Sequence, residues 1–97
     1  MSGLGTFHHD THALHGITCV VATRGSRTWI GRVDTVDERG VLLRDADLHD
    51  ADAPGAAPRE EFLRKAAKFG PWPRHPGVIV PAAEVVEVLR LSEVPTD

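Results

Sequence analysis

Residues 16–46, GITCVVATRGSRTWIGRVDTVDERGVLLRDA, and their answer in residues 78–91, VIVPAAEVVEVLRL, decide the fold of this chain. In residues 17–22, Ile17, Cys19 and Val21 alternate with Thr18, Val20 and Ala22, the two-residue period of a strand with two different faces. Arg24-Gly25-Ser26 is a turn cluster, with Gly25 free to take positive φ. A second strand follows over residues 27–37, with Trp29, Val33 and Val36 among its apolar positions. Gly31 inside it predicts a sharp bend or a close backbone approach. Asp37-Glu38-Arg39-Gly40 reads as the next turn, with Gly40 as its left-handed residue, and Val41-Leu42-Leu43 opens a third strand that ends near Leu48. Short strands joined by tight turns predict an antiparallel meander.

Pro81 divides the second stretch into Val78-Ile79-Val80 and Val85-Val86-Glu87-Val88-Leu89. Proline cannot donate to a strand ladder, so these are two strands and not one. Pro81-Ala82-Ala83 between them can form a single turn of helix that swings the chain to a new direction. A sheet bent at Gly31 and again at Pro81 can wrap on itself around a small core. The expected fold is mainly β, a strongly bent five-stranded antiparallel barrel.

The same residues resemble the first motif of the Sm and LSm proteins: Arg27, Trp29, Gly31, Val33, Val36 and Asp37, followed by an apolar pair around Leu42 and the small Ala46. The segment VIVPAAEVVEV resembles the second Sm motif, and its proline form is similar to that of some bacterial LSm-like proteins. The segment before Gly16 resembles the short helix that leads into the first Sm strand. The resemblance covers roughly 65 of the 97 residues. It implies a homo-oligomer, with the fourth and fifth strands as apolar edges that pair with a second copy, here through Val78, Ile79, Val80, Val86 and Val88. It also implies single-stranded RNA as a partner, through Arg27, Asp37, Arg39 and Gly40. Two departures bear on that partner. Gly40 stands where the family has an asparagine after the aspartate, in a turn one residue shorter, and Pro81-Ala82 stands where it has an arginine-glycine pair. Without those donors the usual uridine pocket is not built.

Composition agrees with one domain. A chain of 97 residues supports one modest core, with residues 1–9 as a flexible, Gly-rich N-terminus and residues 10–97 as a single Sm-like domain. Net charge is −3, which argues against a nucleic-acid binder that relies on a broadly basic face. Cys19 is the only cysteine, so no intrachain disulfide forms; its strand face makes it a buried small hydrophobe. No apolar run reaches transmembrane length and the N-terminus has no secretory apolar region, so no membrane partner and a soluble, cytoplasmic location are expected.

Residues 47–77 read as an insertion between the third and fourth strands. Its first half is acidic, then rich in Ala, Pro and Gly. Residues 58–70, PREEFLRKAAKFG, have the grammar of a helix: proline near the first position, acids in the first turn, bases in the last and glycine after the end. Phe62, Ala66 and Phe69 line one face, with Leu63 beside them, as a lid on the barrel.

Six histidines raise the question of a metal. His8, His12 and His15 fall at i, i+4 and i+7, and His9, Asp10, His49, Asp50, Asp52 and His75 could add ligands. Zinc needs three or four such donors with partners that fix each imidazole, and a short histidine pattern more often marks a polar turn. No metal site and no cofactor are therefore expected. His49-Asp50 could orient an imidazole for proton transfer, but no nucleophile or phosphate loop lies near it, so it reads as a loop contact. Arg24, Arg27, Arg32, Arg39 and Arg44 read as solvated strand positions paired with Asp34, Asp37, Glu38 and Asp45. Trp29 reads as core. No residue set carries a catalytic signature. The expected function is an Sm-like homo-oligomeric, ring-forming binding or scaffold module, and not an enzyme. Two alternatives remain open: an LSm-type RNA-binding protein that uses its Arg-rich turns, and a histidine-based metal-dependent hydrolase.

Overall fold

The structure is a computed structural model, and it describes residues 14–96. Five strands and one helix follow in order: β1 (Thr18–Thr23), β2 (Arg27–Asp37), β3 (Gly40–Asp50), α1 (Arg59–Phe69), β4 (His75–Pro81) and β5 (Val85–Arg90). Single 3-10 turns occupy Ala82–Glu84 and Leu91–Glu93. The strands form one open sheet in the order β4-β3-β2-β1-β5, and every pairing in it is antiparallel, as the tight turns predicted. The expected N-terminal helix and the expected flexible residues 1–9 lie outside the described residues.

β2 cannot be straight. Eleven residues in line would hold its ends about 33 Å apart at about 3.3 Å per residue. Yet the 3-10 turn Ala82–Glu84 bonds to the chain at both of its ends. After β2, the Ala82 N–H donates to the Arg39 carbonyl at 2.9 Å; before it, the Arg24 N–H donates to the Glu84 carbonyl at 3.0 Å. Arg24 Nε also donates to the Ala83 carbonyl at 2.7 Å. The sheet therefore curls until the two hairpin turns meet one short connection.

The curl is made by two breaks in the β2–β3 register. Ile30 pairs with Asp47 and Arg32 with Arg44, so Gly31 alone faces Asp45 and Ala46. This is a bulge in β3, and Asp45 takes its left-handed position at φ 51°, a conformation that aspartate tolerates better than most residues. Three residues on, Val33 pairs with Leu43 and Thr35 with Leu42, which leaves Asp34 as the extra residue in β2. Gly31 is a close approach, as its place in the strand predicted. A Cβ there would lie 2.9 Å from Ala46 Cβ and 3.1 Å from Leu43 Cβ.

Two apolar clusters lie on the two faces of the sheet. All five strands supply the inner one, which includes Cys19, Val21, Trp29, Val33, Val41, Leu43, Val80 and Val85. Cys19 and Trp29 are buried as expected. The outer cluster is Val20, Ile30, Ala66 and Leu91, with Phe62, Leu63 and Ala67 of α1 packed against it. α1 starts after Pro58, has Glu60 and Glu61 in its first turn, and ends at Gly70 (φ 85°), whose N–H donates to the Ala66 carbonyl.

Four local expectations need correction. Phe69 does not join the packing face of α1 and is 82% exposed. That face is centred between Phe62-Ala66 and Leu63-Ala67, and at about 100° per residue Phe69 lies a quarter turn away from it. β3 runs to Asp50 and β4 starts at His75, so the chain leaves the sheet over residues 51–74 and not 47–77. Gly25 does not take positive φ. Gly40 does, at 142°, well past the left-handed helical region; a Cβ there would run into the Val80 carbonyl oxygen and lie 2.8 Å from Ala82 N.

Candidate functional site

The turn between β2 and β3 holds three of the four residues implicated in RNA contact. Asp37 Oδ1 accepts from the Arg39 N–H at 2.9 Å, and Asp37 Oδ2 accepts from Arg39 Nη2 at 2.8 Å, with Nε at 3.3 Å from both oxygens. The guanidinium closes the turn on its own carboxylate, and with the backbone N–H it holds the Asp37 carboxyl below the usual carboxylate range. Gly40 is buried against the connection to β5. Arg27, at the start of β2, pairs instead with Asp50 at 3.8 Å. Ser26 Oγ donates to Asp50 at 2.7 Å and is the main cause of its lowered pKa. Arg32 pairs with Asp45 at 3.0 Å and Arg44 with Asp34 at 3.8 Å. Arg27, Arg32, Arg39 and Arg44 each face a carboxylate, whereas Arg24, expected to pair with an acid, donates to the Ala83 carbonyl.

The five residues assigned to a self-interface divide. β4 and β5 are the two edges of the sheet. Ile79 and Val86 stand on them 44% and 61% exposed. Val78 and Val88 are partly buried against the inner cluster, and the Val80 side chain lies within it. Val80 can therefore meet a second copy only through its backbone, because the strand period that exposes Ile79 turns Val80 inward.

His8, His9, Asp10 and His12 fall outside the described residues. Among those described, no group of three or more His, Cys, Asp or Glu gathers as metal ligands do. His15 Nδ1 lies 2.6 Å from the Asp34 carbonyl, and the His75 ring stands edge-on to Trp29 at 5.2 Å. His49 and Asp50 do not act as a pair. Asp50 turns to Ser26 and Arg27, while His49 Nε2 donates to the Ala57 carbonyl at 2.6 Å.

His49 belongs to a different site. It lines a half-open cavity of about 420 Å³ between the end of β3, α1 and residues 70–74. The bulge at Asp45 places it there. Val41 and Leu43 face inward, and an unbroken period of two would send Asp47 and His49 inward as well. The extra residue shifts the parity, so Ala46 and Leu48 meet the inner cluster, and Asp47 and His49 lie opposite Ile30 and Thr28 under α1. Asp47 is buried and accepts from its neighbour's N–H (Leu48, 2.9 Å) and from Trp72 N at 3.3 Å, with Arg74 Nε at 3.7 Å. The His49 ring lies 5.1 Å from Phe62. Asp47, Trp72 and Arg74 were not singled out by their sequence pattern. Their one signal was Trp72, an indole between two prolines.

No family model matches this chain, and no curated protein matches it.

Proposed function

We propose that this chain is an Sm-like small barrel that assembles with itself, as a closed ring, and works as a binding or scaffold module. The observation that carries the proposal is the pair of sheet edges. β4 and β5 each pair on one side only among the described residues, and each presents an exposed branched side chain, Ile79 and Val86. A bare, apolar edge is a template for pairing with another chain unless charge, proline or a cover blunts it. α1 packs on the outer face, and between Pro76 and Pro81 β4 carries no charged side chain, while Glu87 and Arg90 lie on β5 beside Val86 and Val88. When the β4 edge of one copy takes the β5 edge of the next, the contact joins two different surfaces, and such contacts close into rings when the rotation permits.

The bend of β2 at Gly31, the single turn after Pro81 and the run Asp37 to Gly40 support the Sm-like reading, since these are the residues of the resemblance. The ion pair within the β2–β3 turn weighs against base recognition by Arg39, and the Asn and Arg-Gly of the family's uridine pocket are replaced by Gly40 and Pro81-Ala82. The test is native mass spectrometry of the untagged chain, which reports subunit number, metal and bound nucleic acid together. A discrete oligomer free of RNA is expected. A single species of 10.5 kDa at micromolar concentration would end the proposal.

A further inference from the structure

We infer that the cavity beneath α1 is a nucleotide site, independent of any assembly through the sheet edges. Its volume, about 420 Å³, falls within the roughly 300–1,000 Å³ of small-molecule sites. Three features define what fits it. The first is the buried Asp47 carboxylate, whose two oxygens keep acceptor capacity beyond the two backbone N–H groups they receive. His49 beside it is held by its Nε2–H on the Ala57 carbonyl, and its buried Nδ1 has no surface open to the cavity.

The second feature is a pair of exposed aromatic rings, Phe69 and Trp72, the latter 68% exposed, both lining the cavity. Large aromatics held in water beside a cavity are platforms for a planar ring. The third is the charge at the rim. Lys65 and Arg74 line the same cavity and stay exposed, in ion pairs of 3.0 Å with Glu61 and 3.7 Å with Asp47. The Lys65–Glu61 pair is exposed and weak, and both cations keep most of their surface in water, so an incoming anion can share them.

Each feature excludes a class of ligand. A lipid tail would leave the Asp47 carboxylate unused. A bare anion would not use the rings, and a simple aromatic would not use the cations. A heteroaromatic ring with N–H donors on one edge and an anionic tail satisfies all three, and this is the chemistry of a nucleotide. The base stacks at Trp72 and Phe69, its N–H groups donate to the two oxygens of Asp47, and its phosphate lies at Lys65 and Arg74. Guanine carries adjacent ring and amino N–H donors on one edge, so it suits paired acceptors better than adenine or uracil.

The test is calorimetric titration of the full chain with GMP, AMP and UMP at physiological salt, followed in parallel by tryptophan fluorescence. Saturable binding of GMP is expected, with UMP weaker by about tenfold or more. Trp72→Ala should weaken GMP by about tenfold, the worth of one stacked base, while its melting temperature stays that of the parent because the side chain is exposed. Lys65→Ala with Arg74→Ala should weaken GMP and leave guanosine unchanged. A short RNA ending in guanosine tests the source of the nucleotide: tighter binding than GMP assigns the site to a strand end, and equal or weaker binding assigns it to the free nucleotide. Failure of all three nucleotides to saturate at millimolar concentration, or unchanged GMP binding by Trp72→Ala, would overturn the site. Subunit number measured on the same samples keeps this outcome separate from the fate of the ring.

Discussion

Gly31→Ala tests the bend on which the fold depends. The added Cβ would lie 2.9 Å from Ala46 Cβ, 3.1 Å from Ala46 Cα and 3.1 Å from Leu43 Cβ. These atoms belong to the backbone and to the first carbons of buried side chains on the neighbouring strand, so no flexible side-chain end can swing away. The conformation of Gly31 is one that alanine adopts, so the effect comes from space alone. Overpacking of a tight core costs roughly 1–3 kcal/mol. The loss of chain entropy in the unfolded state returns about 0.4–1 kcal/mol to alanine, which leaves a net loss of roughly 1–2 kcal/mol. Gly31→Val, with two more methyl groups, should lose more. The assay is urea unfolding followed by circular dichroism; with a slope of about 1 kcal/mol per molar, the midpoint should fall by about 1–2 M. Gly25→Ala is the control, because a Cβ there meets nothing within 4 Å. It should change stability by less than about 1 kcal/mol, in the favourable direction. Ala46→Gly removes the nearest clashing atom, so the double variant should be more stable than the sum of the single losses by about 0.5 kcal/mol or more. A Gly31→Val protein that unfolds like the parent, or strict additivity of Gly31→Ala and Ala46→Gly, would refute the close approach.

Lysine at Ile79 or Val86 should dissociate the proposed oligomer into 10.5 kDa subunits that keep their fold; light scattering that finds an oligomer of unchanged size in both variants would remove these edges from the proposed interface. Short oligouridine should not bind tightly, since Gly40 and Pro81-Ala82 replace the residues of the uridine pocket; nanomolar, uridine-selective binding at physiological salt refutes this. Burial pushes the Cys19 thiol up from 9.0 to about 11. The unfolded thiol therefore ionises first, and the stability that Cys19 contributes is intact below about pH 9 and lost between about pH 9 and pH 11, by at most about 2–3 kcal/mol. Urea midpoints of the parent and Cys19→Ala at about pH 8 and about pH 10 measure that difference, and equal slopes for the two proteins would refute it.

Strands and helix were legible because their signals are local. Alternation marked β1, the tight turns marked the hairpins, and Pro58, the acidic first turn and Gly70 bounded α1. The position of Gly31 showed that something approaches there, but not what. The bulge at Asp45 was illegible, because no local signal distinguishes an aspartate that takes a left-handed conformation from one that continues the strand. That one residue hid the candidate site. Read with an unbroken period, Asp47 and His49 are surface or core positions of no particular use; shifted by one, they form the floor of the cavity under α1. The exposure of Phe69 was hidden for a related reason, since the helix pattern gives a face but the sheet decides which part of it is covered.

The distribution of apolar surface limits how such a chain can assemble. Its own side chains fill the inner face, and α1 with the turn Leu91–Glu93 covers the outer face at Val20 and Ile30, so the exposed apolar side chains of the sheet itself are those on its edges, with Phe69 and Trp72 apart from them beside α1. The gain there is small for a single contact. Covering what remains exposed of Ile79 and Val86 is worth roughly 1–2 kcal/mol each by apolar area, and a row of backbone hydrogen bonds exchanged with water adds roughly 1 kcal/mol apiece. Against this stands an association cost of about 4–15 kcal/mol, so an isolated pair of copies is marginal. A closed ring changes the balance, because the last contact forms within an assembly whose members already hold the two edges together. Assembly through β4 and β5 therefore implies free subunits and complete rings as the populated species on dilution, with open dimers and trimers absent. A steady ladder of intermediates would place the contact on some broader surface than these two strands.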